Sequence, residues 1–144
     1  MTGRVGRLAA SLLLLAGLVG ACSQGTDPAR LEVGDCFDVP SETSAIESIT
    51  TRACSEPHGG EAFHVYEADA ADAYPSDTDW EQLIHPICDP VFEDYTGTFV
   101  GDRVDIEYLY LVPTPERWSA GDRRVTCFIS SLDGAPLTKS HRAP

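Results

Sequence analysis

Two histidines bracket a glutamate in the stretch CSEPHGGEAFH, Cys54 to His64, which makes His58, Glu61 and His64 the first residues to test for chemistry. Two imidazoles and a carboxylate are the donor set of a zinc site, and a histidine beside a carboxylate can also serve as an acid–base pair. Convergence of residues three apart needs a helix. Pro57 could open one, but Gly59 and Gly60 would each cost about 1 kcal/mol inside it. Glu61 to Ala68 is instead rich in aromatic and β-branched residues and reads as a strand, which sends Glu61 and His64 to opposite faces. No metal is therefore expected, and with no cofactor motif in the chain no cofactor is expected either. His85 is the one other imidazole of the body, and no D-x-[DN]-x-[DN]-G calcium loop occurs. Ser55 precedes His58 by three residues without a G-x-S-x-G elbow, so a serine triad is not supported. A carboxylate pair able to cleave a glycan cannot be singled out among 23 acids. The expectation is a polar corner of the fold, in which Gly59 and Gly60 permit an unusual backbone and His58 and Glu61 hydrogen-bond to fix it.

Aromatic side chains are the other binding candidates. Tyr108 and Tyr110 alternate with Leu109 and Leu111, so the tyrosines share one strand face with Ile106 and Val112. With Tyr66 and Trp118 they could present a strip to a sugar chain or a protein, or simply fill the core. Trp118 and Arg123 are spaced for a cation–π pair.

The elements that must position these groups follow from the hydrophobic pattern. LEVGDCF and AIESITTRAC read as short strands joined by the turn-rich DVPSETS, and DIEYLYLV and RRVTCFIS as two further strands. PTPERWSAGD between the last two is expected to hold one helical turn. Trp80, Leu83, Ile84, Ile87, Cys88, Val91, Phe92 and Tyr95 follow helical spacing, with Asp77 or Asp79 as the cap. Pro86 and Pro90 predict a kink or a division into two pieces. Cys36, Cys54, Cys88 and Cys127 allow three disulfide pairings. Cys36–Cys54 and Cys88–Cys127 are expected, because the first joins the two opening strands and the second staples the helix to the last strand. No CxxC redox motif is present. The fold class is α+β: an antiparallel sheet of about five strands, stapled by disulfides, with one main kinked helix on it, built around one core.

The amino terminus addresses the protein. Arg4 and Arg7 precede an apolar run from Leu8 to Val19, which is shorter than the roughly 18 residues a bilayer span needs, and small residues follow up to Cys22. LVGAC resembles the lipobox of bacterial lipoproteins, which implies cleavage before Cys22 and lipid on its sulfur. The organisation expected is a lipoprotein signal peptide over 1–21, a lipidated flexible linker over 22–30, a domain over 31–131 and a disordered tail over 132–144. As a flexible coil the linker reaches about 16 Å on average, leaving the domain on the outer face of the membrane with its binding surface turned outward. The whole chain carries a net charge of −13, and removal of the two signal arginines, with no acid, leaves −15. Lys139 is the single lysine, so nucleic acid is excluded as a partner.

VGDCFDVP, CSEPHGGEAFHVYEA, CDPVFEDYTG and LYLVPTPERWSAGDRRVTC together resemble the septum-formation-related domain of envelope proteins in high-GC Gram-positive bacteria. The resemblance covers Leu31 to Ile129. It rests most on Cys54, Pro57, His58 and Glu61, and on Trp118, Gly121, Asp122, Arg123, Val125 and Cys127. It implies an extracytoplasmic, disulfide-bonded α+β module linked to septum formation, and it supplies no catalytic residues. The expected function is that of a lipid-anchored, non-catalytic binding or scaffolding module whose partner is an envelope protein or wall ligand. The alternative is a wall-acting hydrolase or metal-dependent sensor using His58, Glu61 and His64. Replacing Cys22 by alanine is expected to release the protein from the membrane or leave it unprocessed, as fractionation and the mass of the amino terminus would report.

Overall fold

The structure is a computed structural model that describes residues 25–40, 48–69 and 72–144. The expected signal peptide, Cys22 and most of the first connecting turn lie outside the described residues. Five strands form one antiparallel sheet: β1 (Cys36–Phe37), β2 (Thr51–Arg52), β3 (Gly60–Glu67), β4 (Ile106–Leu111) and β5 (Arg124–Ser131), in the order β2-β1-β3-β5-β4. Helix α1 (Asp77–Thr96) covers one face, and a short α2 (Pro115–Ser119) lies between β4 and β5. The α+β architecture is the expected one, and so are both disulfides, Cys36–Cys54 and Cys88–Cys127.

Helix α1 runs unbroken across the two prolines. A proline removes the bond to the carbonyl four residues back. Pro86 and Pro90 both lie on the exposed stripe, as does Gln82, so the freed carbonyls of Gln82 and Pro86 face the solvated side. The cap is Ser76 rather than Asp77 or Asp79. Its hydroxyl accepts from the Asp79 amide while the Asp79 carboxylate accepts from the Ser76 amide, a reciprocal capping box. Gly97 closes the helix at a φ of +72°.

The sheet divides the core instead of enclosing one. Toward α1, Val125, Cys127 and Ile129 of β5 pack with Phe63, Ile84 and Phe92. On the opposite face, Phe128 and Ala62 pack with Phe37, Leu31 and Ile49. Alternation along β3 is broken between Ala62 and His64, where the register against β5 shifts. Glu61 therefore stands opposite Ile129 and His64 opposite Cys127, two residues that both face α1. Cross-strand neighbours share a face, so the bulge puts Glu61 and His64 on the same side of the sheet, contrary to the expectation from simple alternation.

Both ends of the domain differ from expectation. Residues 132–144 are docked on the body. Leu137 is buried, exchanges two backbone hydrogen bonds with His58 (3.0 and 2.8 Å), and is followed by further contacts to Glu61 and Tyr95. A periodicity test misses such a segment because its contacts are made one residue at a time. The expected flexible linker is likewise docked from Gly25 onward. Thr26 bridges Ile49 in both directions, and Asp27 pairs with Arg117 of α2 at 2.9 Å.

Loop closure makes the longer-range disulfide the stronger staple. With separations of 39 and 18 residues, Cys88–Cys127 is expected to contribute about 4 kcal/mol and Cys36–Cys54 about 3. Urea denaturation of the two paired Cys→Ala variants should show the larger loss of stability for Cys88 and Cys127.

Candidate functional site

Glu61 is fully buried at the start of β3, and a buried carboxylate has to be met by donors. Its Oε1 accepts from the Tyr95 hydroxyl of α1 at 2.8 Å and from the Ser140 hydroxyl at 2.5 Å, and its Oε2 from the His141 amide at 2.7 Å. Burial, reinforced by the Glu61 charge, pushes the Tyr95 hydroxyl pKa upward and keeps it a donor. Arg142 lies 5.0 Å over the Tyr95 ring, and the Ala143 amide donates to the Tyr95 carbonyl. The tail is thus drawn to the carboxylate that β3 buries.

His58 is buried beside it and, like Glu61, hydrogen-bonds within the corner, though each to its own partners. Its Nδ1 lies 2.7 Å from the Glu56 carbonyl, which fixes the proton on that nitrogen, and Nε2 has no partner. Among the described residues, Cys36, His58 and Glu61 bring donor atoms within 4.8 Å of one another. The Cys36 sulfur is bonded to Cys54, however, and both Glu61 oxygens are already engaged. His64 stands apart from this trio, stacked on Tyr66 at 5.2 Å, with its pKa lowered by burial.

Gly59 and Gly60 are required for a different reason from the one expected. Neither has a positive φ. A Cβ on Gly60 would come within 2.8 Å of Phe128 and 2.9 Å of Phe37, and one on Gly59 within 2.9 Å of the Val39 amide nitrogen. The pair lets β3 approach β1 and the second core cluster closely.

Tyr108 is half-buried against Phe63 and Phe92, and its hydroxyl donates to Asp89 and meets His85 Nδ1 at 2.6 Å. Burial first, and Asp89 second, raise its pKa. Its role is to clamp β4 to α1. Trp118 is buried, with its indole N–H donating to the Asp72 carbonyl and Arg123 stacked 3.8 Å over its ring. That cation–π pair is the expected one, and it removes Trp118 from the surface.

Tyr110 alone of the aromatic candidates lines a concavity. A groove of about 330 Å³ runs between the start of α1, the end of β4, the amino end of α2 and the turn at Pro28 and Ala29. Tyr74, Trp80 and Tyr110 form an aromatic wall, with Tyr74 and Trp80 in edge contact at 5.9 Å. Pro113 and Pro115 also line the groove, and the Tyr74 hydroxyl donates to the Pro113 carbonyl at 3.0 Å. Polar groups converge at its ends: Asp77 from the first turn of α1, and Arg117, Asp122 and Arg124. Arg117 is held by Asp27 and by Asp122 at 2.8 Å, and these bonds raise its pKa. Arg124 donates through Nη2 to the Leu31 carbonyl and leaves a buried Nε without a partner. Burial raises the Tyr110 pKa, and the charges of Glu81 and Asp77 raise it further. An apolar concavity with a few convergent polar groups is the usual form of a small-ligand site. Sequence reading found Tyr110 but not the groove, because four separate segments supply its lining, and Pro113 and Pro115 beside Tyr110 were the local signal.

If the tail is part of the fold, Leu137→Ala should cost about 2–3 kcal/mol, as for a buried leucine, and should open residues 132–144 to proteolysis. A denaturation midpoint equal to that of the unaltered protein would contradict the docking.

No curated protein and no solved structure matches the chain. A protein-family model described as Septum formation matches residues 16–141. That span includes both signature segments and continues past Ser131 through the docked tail to His141, whose amide holds Glu61. The chain belongs to the septum formation family.

Proposed function

We propose that this septum-formation protein is a lipid-anchored, extracytoplasmic and non-catalytic binding module of the cell envelope, and that the Tyr110 groove is its site for an uncharged saccharide chain. The groove carries the reading. Sugar rings offer apolar C–H faces to aromatic walls and hydroxyls to carboxylates and guanidinium groups, and Tyr74, Trp80, Tyr110, Asp77 and Arg124 supply both kinds of surface. Asp77 and Asp122 are balanced in the lining by Arg117 and Arg124, and the chain as a whole carries −13, which favours a neutral ligand over a polyanion.

The alternative centre at His58, Glu61 and His64 draws less support, because His58 and Glu61 are buried, both Glu61 oxygens are engaged by the tail, and His64 stands apart, stacked on Tyr66. Membrane attachment rests on the lipobox-like Cys22. Among the described residues no helix is long and apolar enough to cross a membrane.

Calorimetric titration of the purified protein with neutral envelope oligosaccharides is expected to give saturable binding. Tyr110→Ala should weaken it about tenfold, the effect of losing one stacking contact of roughly 1.4 kcal/mol. Binding indifferent to Tyr110, or turnover of the saccharide, would overturn the proposal.

A further inference from the structure

The amino-terminal segment is attached to the body almost from the residue expected to carry lipid. Thr26 and Ile49 exchange hydrogen bonds of 2.6 and 2.7 Å, and a Cβ on Gly25 would lie 2.6 Å from the Ser48 Cβ, so Gly25 is already packed. Asp27 then caps the turn at Pro28–Arg30 and pairs with Arg117. Cys22 stands three residues before Gly25, a span of at most about 11 Å even when fully extended. Pro28 and Ala29, which follow directly, form one lip of the groove. By the same measure Ala29 lies at most about 25 Å along the chain from Cys22.

This geometry constrains what can reach the groove. A domain on a long leash could sample the wall, whereas one docked three residues from its anchor holds this end beside the headgroups. The outward-facing binding surface expected from a flexible linker is thereby replaced by a membrane-proximal one. We propose that the groove binds the uncharged saccharide headgroup of a lipid lying in the same membrane that holds Cys22, a proposal that rests on the saccharide reading above. Within the lining, Asp77 and Asp122 are matched by Arg117 and Arg124, so the groove brings no excess of positive charge for an anionic headgroup, and the net charge of −13 on the chain opposes one. Confinement of both partners to one surface also raises their effective concentration, so a shallow groove can be occupied by a ligand it would hold only weakly from solution.

The test uses the full-length, lipidated protein in phosphatidylcholine vesicles containing a few per cent of diglucosyl diacylglycerol, with hydrogen exchange followed at residues 110–117. Saturable protection is expected with the glycolipid and none with phosphatidylglycerol in its place. Tyr110→Ala and Asp77→Asn should each shift half-saturation at least tenfold. Inserting a Gly/Ser spacer of about 20 residues after Ser23, which adds about 25 Å of root-mean-square reach, should weaken glycolipid capture. Equal protection by free diglucoside, or capture unchanged by the spacer, would overturn the membrane-proximal assignment while leaving the saccharide site standing. Protection by neither form of the sugar would overturn the saccharide reading itself, and equal protection by phosphatidylglycerol would overturn the neutral-headgroup assignment.

Discussion

A carboxylate taken out of water organises this molecule. Glu61 enters the sheet where β3 meets β1, and at full burial its charge would be strongly unfavourable without several donors. Those donors come from far apart in the chain: the Tyr95 hydroxyl from the last turns of α1, and the Ser140 hydroxyl and His141 amide from the carboxyl-terminal tail. One buried acceptor thus ties the sheet, the helix and the tail together. Breaking any of these bonds costs more than the bond itself, because the remaining charge stays desolvated. The docking of residues 132–144 follows from this requirement, assisted by burial of Leu137.

The residues that mark the family are largely consumed by the same task. Cys54 closes a disulfide, and His58 and Glu61 lie in the buried corner. Trp118 fills the core under Arg123, while Asp122 holds Arg117 and accepts from the Arg124 amide. A signature composed of buried and paired residues specifies a fold. The surface left for recognition is therefore to be sought where such residues keep a free face, and the groove beside Tyr110 has that character: Tyr74 is partly exposed and the buried Arg124 Nε has no protein partner.

The two ends of the described chain also place the domain. The amino-terminal residues are paired to β-structure and to α2, and the groove opens next to them. Rigid attachment close to an anchor gives a protein a defined height and orientation, which a flexible leash does not. With Cys22 lipidated as proposed, that geometry would favour ligands presented at the bilayer surface.

Most of the architecture could be read from residues alone. Aromatic and β-branched composition identified β3, alternation identified β4 and β5, and 3.6-residue spacing identified α1. The expected pairing of the two opening strands was enough to choose Cys36–Cys54, and the apolar faces of the helix and the last strand were enough to choose Cys88–Cys127. These features depend on periodicity, composition and cysteine count, which are properties of neighbouring residues. Three others were set only by tertiary contact. The bulge after Ala62 turned Glu61 and His64 to one face, because register is decided by the partner strand. The tail and the residues after Gly25 became ordered by pairing with distant groups, Glu61, His58, Ile49 and Arg117, none of which leaves a local pattern. The groove arose where four segments meet. The sequence by itself therefore determined the elements and their class, while the site was decided by tertiary structure, since a concavity and a buried charge exist only after distant segments have closed around them.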